Sequence, residues 1–467
     1  MSGAGENRRT KIVATLGPAS REPETLVAMI EAGADVFRLN FSHGTADEHT
    51  ETIQRIRSAS ERTGKWVGVL GDLPGPKLRL DEVTDGLVRL HSGSDVTLTT
   101  AECLGTSERL GVSFEGLPAA VEPGDPIFLA DGRVRLRARK VREAEVVCEV
   151  ESGGSVASHQ GVNLPGAVSG MPAAGATDMD WVEFAVSHEV DLLAVSFVRS
   201  AADLVPVNER IRELGADIPL IAKIEKPQAL EEAEAIIDEA TSGIMVARGD
   251  LGIELPIESM PSTQKRLIRL AGSRSKPAVT ATPHPTRAEV TDVANAIYDG
   301  TDAVMLSEET AVGSHPLSAI RMMDRIARQT ELDLPYDTWL RERVAAAPDD
   351  VAASVAQSAV SSTYRLGLSA IVVPTRSGRT ARLVSALRPR VPIVAISPRQ
   401  ETVRRLNLLF GVRCFFHDEW EGLRDLLNDS AAIVRELGVA EPGELVAITA
   451  GLPDQELGTN VFEVHRV

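Results

Sequence analysis

Cysteine, aromatic residues and net positive charge are all in short supply in this chain, and each shortage excludes something. Only three cysteines occur among 467 residues (Cys103, Cys148 and Cys414), far apart and with no CxxC pair or His/Cys cluster beside them. That excludes a disulfide framework and an ordinary zinc ligand set. Aromatics make up 4% of the chain, so Ala, Val, Leu and Ile must fill the core. A formal net charge of -18 argues against nucleic acid or an anionic membrane as partner, although a local cationic pocket for a small anion remains compatible with it. No apolar run approaches the roughly 18 residues needed to span a bilayer. The first ten residues are polar and lack the apolar centre of a signal peptide, so a soluble cytoplasmic protein is expected. Neither GxxxxGK[ST] nor GxGxxG is present, so any nucleotide must be held by other means.

Present instead is a long alternation of short apolar segments and amphipathic ones. Strands are expected at 11–15, 35–40, 66–72, 191–196, 220–225, 243–247, 277–282 and 302–306, with helices such as 23–32, 226–240 and 288–299 between them. Eight strand–helix pairs predict a closed (β/α)₈ barrel of the TIM type, with its site at the C-terminal ends of the strands. The third unit is interrupted after Leu73-Pro74-Gly75-Pro76 by a β-rich insertion, in which Asp131-Gly132 between two apolar runs signals a hairpin. Arg133, Arg135, Arg137 and Arg139 recur at period two and read as one wet strand face. A β-rich module over a barrel mouth is well placed to act as a mobile lid, with a spacer as the alternative. A third, smaller α/β unit follows, with a helix at 351–366 and strands at 369–373, 393–396, 412–416 and 445–449. The expected domains are a catalytic barrel (1–75 and 167–335), an inserted β-barrel-like lid (76–166) and a C-terminal α/β domain (345–467).

The chemistry concentrates at strand ends. In Arg38-Leu39-Asn40-Phe41-Ser42-His43-Gly44, a cation, an amide and a hydroxyl alternate with apolar residues, so Arg38, Asn40 and Ser42 share one face. Lys223-Ile224-Glu225 places a cation and a carboxylate on one face in the same way, and Ala247-Arg248-Gly249-Asp250 adds a second carboxylate. Such a set suits an anionic ligand and a metal better than a dry core. In the C-terminal unit, Thr375-Arg376-Ser377-Gly378-Arg379-Thr380 joins a strand to a helix. Hydroxyls and N–H groups at a helix N-terminus, with two arginines, favour a phosphate over a plain capping loop.

Six long motifs, 10–20 (TKIVATLGPAS), 38–44 (RLNFSHG), 221–226 (IAKIEK), 245–252 (MVARGDLG), 285–296 (PTRAEVTDVANA) and 300–307 (GTDAVMLS), closely resemble the pyruvate kinase family over nearly the whole chain. The resemblance implies transfer of the phosphoryl group of phosphoenolpyruvate to ADP, giving ATP and pyruvate. It implies a phosphate-neutralising role for Lys223 and a phosphoryl-binding role for Arg38. Glu225 and Asp250 then become ligands of Mg²⁺ or Mn²⁺. Gly249, Asp250 and Ser307 bind substrate, and Thr282 stands near the methylene that is protonated. Arg79, His43, Asn40, Asp131 and Gln160 fall on the nucleotide side. Thr375, Ser377, Gly378, Arg379 and Thr380 match a site for a phosphorylated small-molecule effector, and a homotetramer is the usual assembly.

The chain also departs from the family pattern. Asn40, Ser42 and Asp72 match a monovalent-cation site, but Lys77 stands where potassium-dependent members have Glu, and Leu73 and Leu80 follow Asp72 and Arg79. An ammonium group supplies the charge potassium would bring, so activity without K⁺ is expected. Gln160 replaces a usual Lys, the segment after Thr282 is short, and Glu308 occupies a usual Gly position. These departures motivate a competing reading as a low-activity or noncatalytic metabolite-binding paralogue. A lyase on a related metal barrel is a third, disfavoured by the lid and the C-terminal domain.

Overall fold

A computed structural model describes residues 8–76, 78–130, 132–164, 173–281, 287–346, 349–420, 422–451 and 458–467. Eight parallel strands close into the expected barrel: β1 (Lys11–Thr15), β2 (Val36–Asn40), β3 (Gly68–Asp72), β4 (Leu192–Val195), β5 (Leu220–Ile224), β6 (Gly243–Val246), β7 (Ala278–Ala281) and β8 (Ala303–Leu306). They are hydrogen-bonded in the cyclic order β1-β8-β7-β6-β5-β4-β3-β2. Period-two alternation sorts their side chains. Ile12, Ala14, Phe37, Leu39 and Val69 pack outwards against the helices, while Val13, Val36, Leu70, Leu192, Ile221, Met245, Val279 and Ala303 fill the lumen.

Local signals place the helices. Pro23–Ala32 begins on proline, whose fixed φ suits a first turn. Ala46–Thr63 starts with a Thr45/Glu48 capping box. The continuous helix expected at 226–240 is instead three pieces: Pro227–Glu231, Ala233–Ala235 and a π-helical turn Ile236–Ala240. The wider turn lets the adjacent Ile236 and Ile237 both bury fully, and the Lys276 ammonium takes up the Ile237 and Asp238 carbonyls.

Strands expected to begin at Asp35, Asp191 and Asp302 start one residue later, because these aspartates serve the base of the barrel. Each accepts the N–H of a neighbouring strand segment: Asp35 from Ile12 at 2.7 Å, Asp191 from Val69 at 2.8 Å and Asp302 from Ala278 at 3.0 Å. Each also meets a cation. Arg8 reaches Asp35 at 2.8 Å, Arg404 reaches Asp191 at 2.6 Å, and buried Arg388 grips Asp302 with two N–H groups at 2.7 and 2.9 Å.

Arg388 and Arg404 belong to the C-terminal unit. Its sheet runs Val412–Phe416, Ile393–Ser397, Ala370–Pro374, Leu445–Ala450, Val461–Arg466, the last strand antiparallel and at the edge. This unit also sends Leu408 into the bottom of the barrel lumen.

The inserted segment folds around its own apolar core. Seven strands form one sheet, and Leu87–Leu90 pairs with Gly154–Ala157 beside it. The hairpin is present: Pro126–Leu129 pairs antiparallel with Val134–Val141, turning through Ala130 and Gly132 at φ 56 and 83. The arginines of Val134–Val141 do line its wet face, where Arg135 and Arg137 pair with Glu151 at 2.7 and 2.6 Å.

Candidate active site

The uppermost layer of the lumen is largely polar, and it follows from continuing six of the eight lumenal rows by two residues. The rows of Met245 and Val279 end instead in Ala247 and Ala281. Val13 leads to Thr15, Val36 to Arg38 and Asn40, Leu70 to Asp72, Ala194 to Ser196, Ile221 to Lys223 and Glu225, and Met305 to Ser307. Asp72, which is almost fully buried, is the hub. Its Oδ2 accepts from Arg38 Nε at 2.6 Å, while Lys223 Nζ lies 3.3 Å from its Oδ1. Arg38 Nη1 also donates to Thr15 Oγ1 at 3.1 Å. Ser196 Oγ accepts from Lys223 Nζ at 2.8 Å and donates to the Leu73 carbonyl at 2.8 Å.

Glu225 sits in the same knot. Its Oε2 accepts the Phe197 N–H at 2.8 Å. Its Oε1 forms a 2.9 Å ion pair with Lys223 Nζ, and this buried oxygen has no other partner. Burial raises the Glu225 carboxyl above the ordinary range, and repulsion from Asp250 and Asp72 adds to that against the pull of Lys223. Burial alone would lower the Lys223 ammonium, but Asp72 and Glu225 outweigh it and raise it, so it stays charged. Burial would raise Asp72, but Lys223 and Arg38 hold it below the usual range. The mouth therefore holds permanent cations around carboxylates, one of which is strained towards protonation.

The remaining expected residues are more spread out. Asp250 lies in the first turn of the short helix Arg248–Glu254, near enough to act on both Lys223 and Glu225. Gly249 is exposed beside it. Asn40 Oδ1 accepts the Ser42 N–H at 3.2 Å. His43 is exposed, and its carbonyl accepts from the His49 ring at 2.9 Å. The Ser307 N–H donates to buried Glu309 at 2.8 Å. Arg79 and Gln160 lie on paired edges of the inserted unit, with Arg79 Nη1 donating to the His159 carbonyl at 3.0 Å and Gln160 Oε1 accepting the Ala157 N–H at 2.8 Å. Lys77, Asp131 and Thr282 lie outside the described residues. Thr15, Ser196 and the Phe197 N–H were missed by motif reading. The two side chains were legible as lumenal rows turning polar at the strand end.

Far from the barrel mouth, Thr375, Ser377, Arg379 and Thr380 line a cavity of about 390 Å³, faced by Glu419 and Trp420. Gly378, at φ 80, caps helix Arg379–Ala386. Arg376 pairs with Glu419 and Arg379 with Asp350, both at 3.2 Å.

Comparison with known proteins bears on what this architecture does. Family models described as "Pyruvate kinase, barrel domain" and "Pyruvate kinase, alpha/beta domain" match residues 7–320 and 353–465. A pyruvate kinase of Thermococcus litoralis is 40% identical over 99% of both chains. One of Staphylococcus saprophyticus is 40% identical over 98% of this chain and 80% of its own. The crystal structure of a pyruvate kinase from Cryptosporidium parvum superposes with a TM-score of 0.93, at 33% identity, covering 100% of this chain and 97% of that one. Fold and site thus define the class, a phosphotransferase built on a (β/α)₈ barrel. The chain belongs to the pyruvate kinase family, whose substrates are phosphoenolpyruvate and ADP.

Proposed function

We propose that phosphoryl transfer takes place at the Arg38–Asp72–Lys223–Glu225 knot. Its most telling feature is Glu225 Oε1, a buried carboxylate oxygen with no hydrogen-bond partner beyond its 2.9 Å ion pair with Lys223. An acceptor in that state suits a hard divalent cation such as Mg²⁺ or Mn²⁺, with Asp250 as the second ligand. Among the described residues no group of three His, Cys, Asp or Glu side chains gathers to hold a metal. Water and substrate oxygens would then complete the coordination. When bound, the cation supplies Lewis-acid stabilisation of enolate charge.

The chain's own residues do the rest. Arg38 binds the phosphoryl group and Lys223 neutralises it in flight, since transfer of this kind needs positioned charge more than covalent help. Asp72 and Ser196 hold both cations at fixed spacing. Gly249 and Ser307 border the substrate, and Arg79, His43, Asn40 and Gln160 face the nucleotide; the family resemblance assigns Thr282 to the protonation step and Asp131 to nucleotide binding. A coupled assay with phosphoenolpyruvate, ADP and magnesium tests the reading: pyruvate should form only with all three. A folded protein without turnover would favour the paralogue reading.

The paired state of the monovalent-site equivalents supports potassium independence. Asn40 Oδ1 is taken by the Ser42 N–H, and the Asp72 oxygens meet Arg38, Ser196 and Lys223. Lys77 supplies the further cation in this reading.

The cavity at 375–380 is the proposed effector site. A phosphate there exchanges with Glu419 and Asp350 for the two exposed arginines. Replacing Ser377 and Arg379 together should abolish activation by sugar phosphates or AMP and spare basal turnover; persistent activation places the site elsewhere. A homotetramer, to be checked by sedimentation, and a cytoplasmic location complete the proposal. No described helix is long and apolar enough to cross a membrane.

A further inference from the structure

We propose that Asp178 is a positioning residue for the transfer reaction, its carboxylate stapling both connections of the inserted β unit to the barrel. Asp178 lies in the first turn of helix Ala176–Ser187 and is 3% exposed. Its Oδ2 accepts the Gly175 N–H at 2.8 Å, an ordinary capping contact. Its Oδ1 accepts the N–H of Gly75 at 2.9 Å, far away in sequence. Gly75 stands where the chain leaves β3 for the insertion, and Gly175 stands on the way back. Among the described residues no cation pairs with this carboxylate; those two N–H groups are its partners, and burial raises it above the ordinary carboxylate range against their pull. A cap alone would need only one of them.

The staple is one contact from the chemistry. Gly75 has φ +64, and a Cβ there would meet Phe197 Cδ2 at 2.9 Å and Ser196 Cβ at 3.0 Å. Those two residues hold the site: Ser196 Oγ receives Lys223 and the Phe197 N–H reaches Glu225. Phe197 is itself at φ 56, a conformation a non-glycine residue keeps only when its surroundings impose it. In the same unit, the hairpin residue Gly132 lies against Ile253, on the helix that carries Asp250. Asp178 thus fixes the root of a module whose hairpin rests on the site's own rim. Through Gly75 it seats the pair that orients Lys223 and Glu225.

This rests on the site assignment above, and its test separates the two. In the full-length enzyme, Asp178→Ala should raise the KM for ADP and lower kcat, each about tenfold, with Asp178→Asn, which keeps one acceptor, in between. Gly75→Ala, which pushes the same connection from the other side, should give the same pattern. Amide exchange at Leu73, Gly75 and residues 173–175 should quicken by roughly tenfold in Asp178→Asn, while Val134–Val141 keeps its protection. Wild-type constants and exchange in Asp178→Asn and Gly75→Ala overturn the proposal. So does a fall in Tm with uniformly faster exchange and an unchanged KM, the mark of a helix cap alone. Absence of turnover in the wild-type enzyme would strike the functional reading and leave the exchange result to judge the staple.

Discussion

The two ends of the barrel use the same residue types to opposite ends. At the base, Asp35, Asp191 and Asp302 each meet a cation and a backbone N–H. At the mouth, Asp72 and Glu225 meet Arg38 and Lys223, but one Glu225 oxygen has no partner beyond the Lys223 ammonium, and burial raises this carboxyl above its ordinary range. A buried ion pair alone therefore says little about function. Carboxylate oxygens without a hydrogen bond also occur at Glu254, Glu289 and Asp292. What distinguishes the mouth is such an oxygen set among Arg38, Lys223 and Asp250 at the strand ends.

Four changes test that contrast. Lys223→Met should cut kcat by ~10³-fold or more in a steady-state assay, since its charge is used mainly in the transition state. An unchanged rate would reduce the mouth to another structural knot. Arg388→Met should act oppositely, costing about 3–5 kcal/mol in denaturant unfolding by stranding Asp302, with little change in kcat for the folded fraction. Replacing potassium by tetramethylammonium at matched ionic strength should change the rate less than about twofold, because a paired carboxylate has little left to offer an ion. Finally, Asp35→Asn should flatten part of the acid limb of stability. Burial opposes ionisation there, but Arg8 and Lys11 hold the carboxyl below its ordinary value of 3.8. The stabilisation is thus present above that pH and lost as pH falls through the depressed folded value.

Much of this was legible because barrel strands repeat one pattern. The segments at 11–15, 220–225 and 243–247 read as apolar runs with polar ends, and all eight strands formed with shifts of one or two residues. The charged cluster was legible for the same reason, as Arg38, Lys223 and Glu225 interrupt apolar periodicity where a strand should stop. Other features depend on distant partners. The π-helical turn follows from Lys276 meeting the Ile237 and Asp238 carbonyls. Val461–Arg466 alternates too weakly to stand out and becomes a strand by pairing with Leu445–Ala450. Ser196 and Thr15 look like ordinary strand-end hydroxyls until closure brings them to Lys223 and Arg38.

Leu408 has a consequence for how the molecule is made. It occupies the barrel interior together with Val13, Val36 and Leu70, although it is encoded long after the last barrel strand. During synthesis, the cylinder stays unsealed at one end until the ribosome has passed that leucine. A nascent chain halted between β8 and Leu408 would expose oily surface and be a natural client for chaperones.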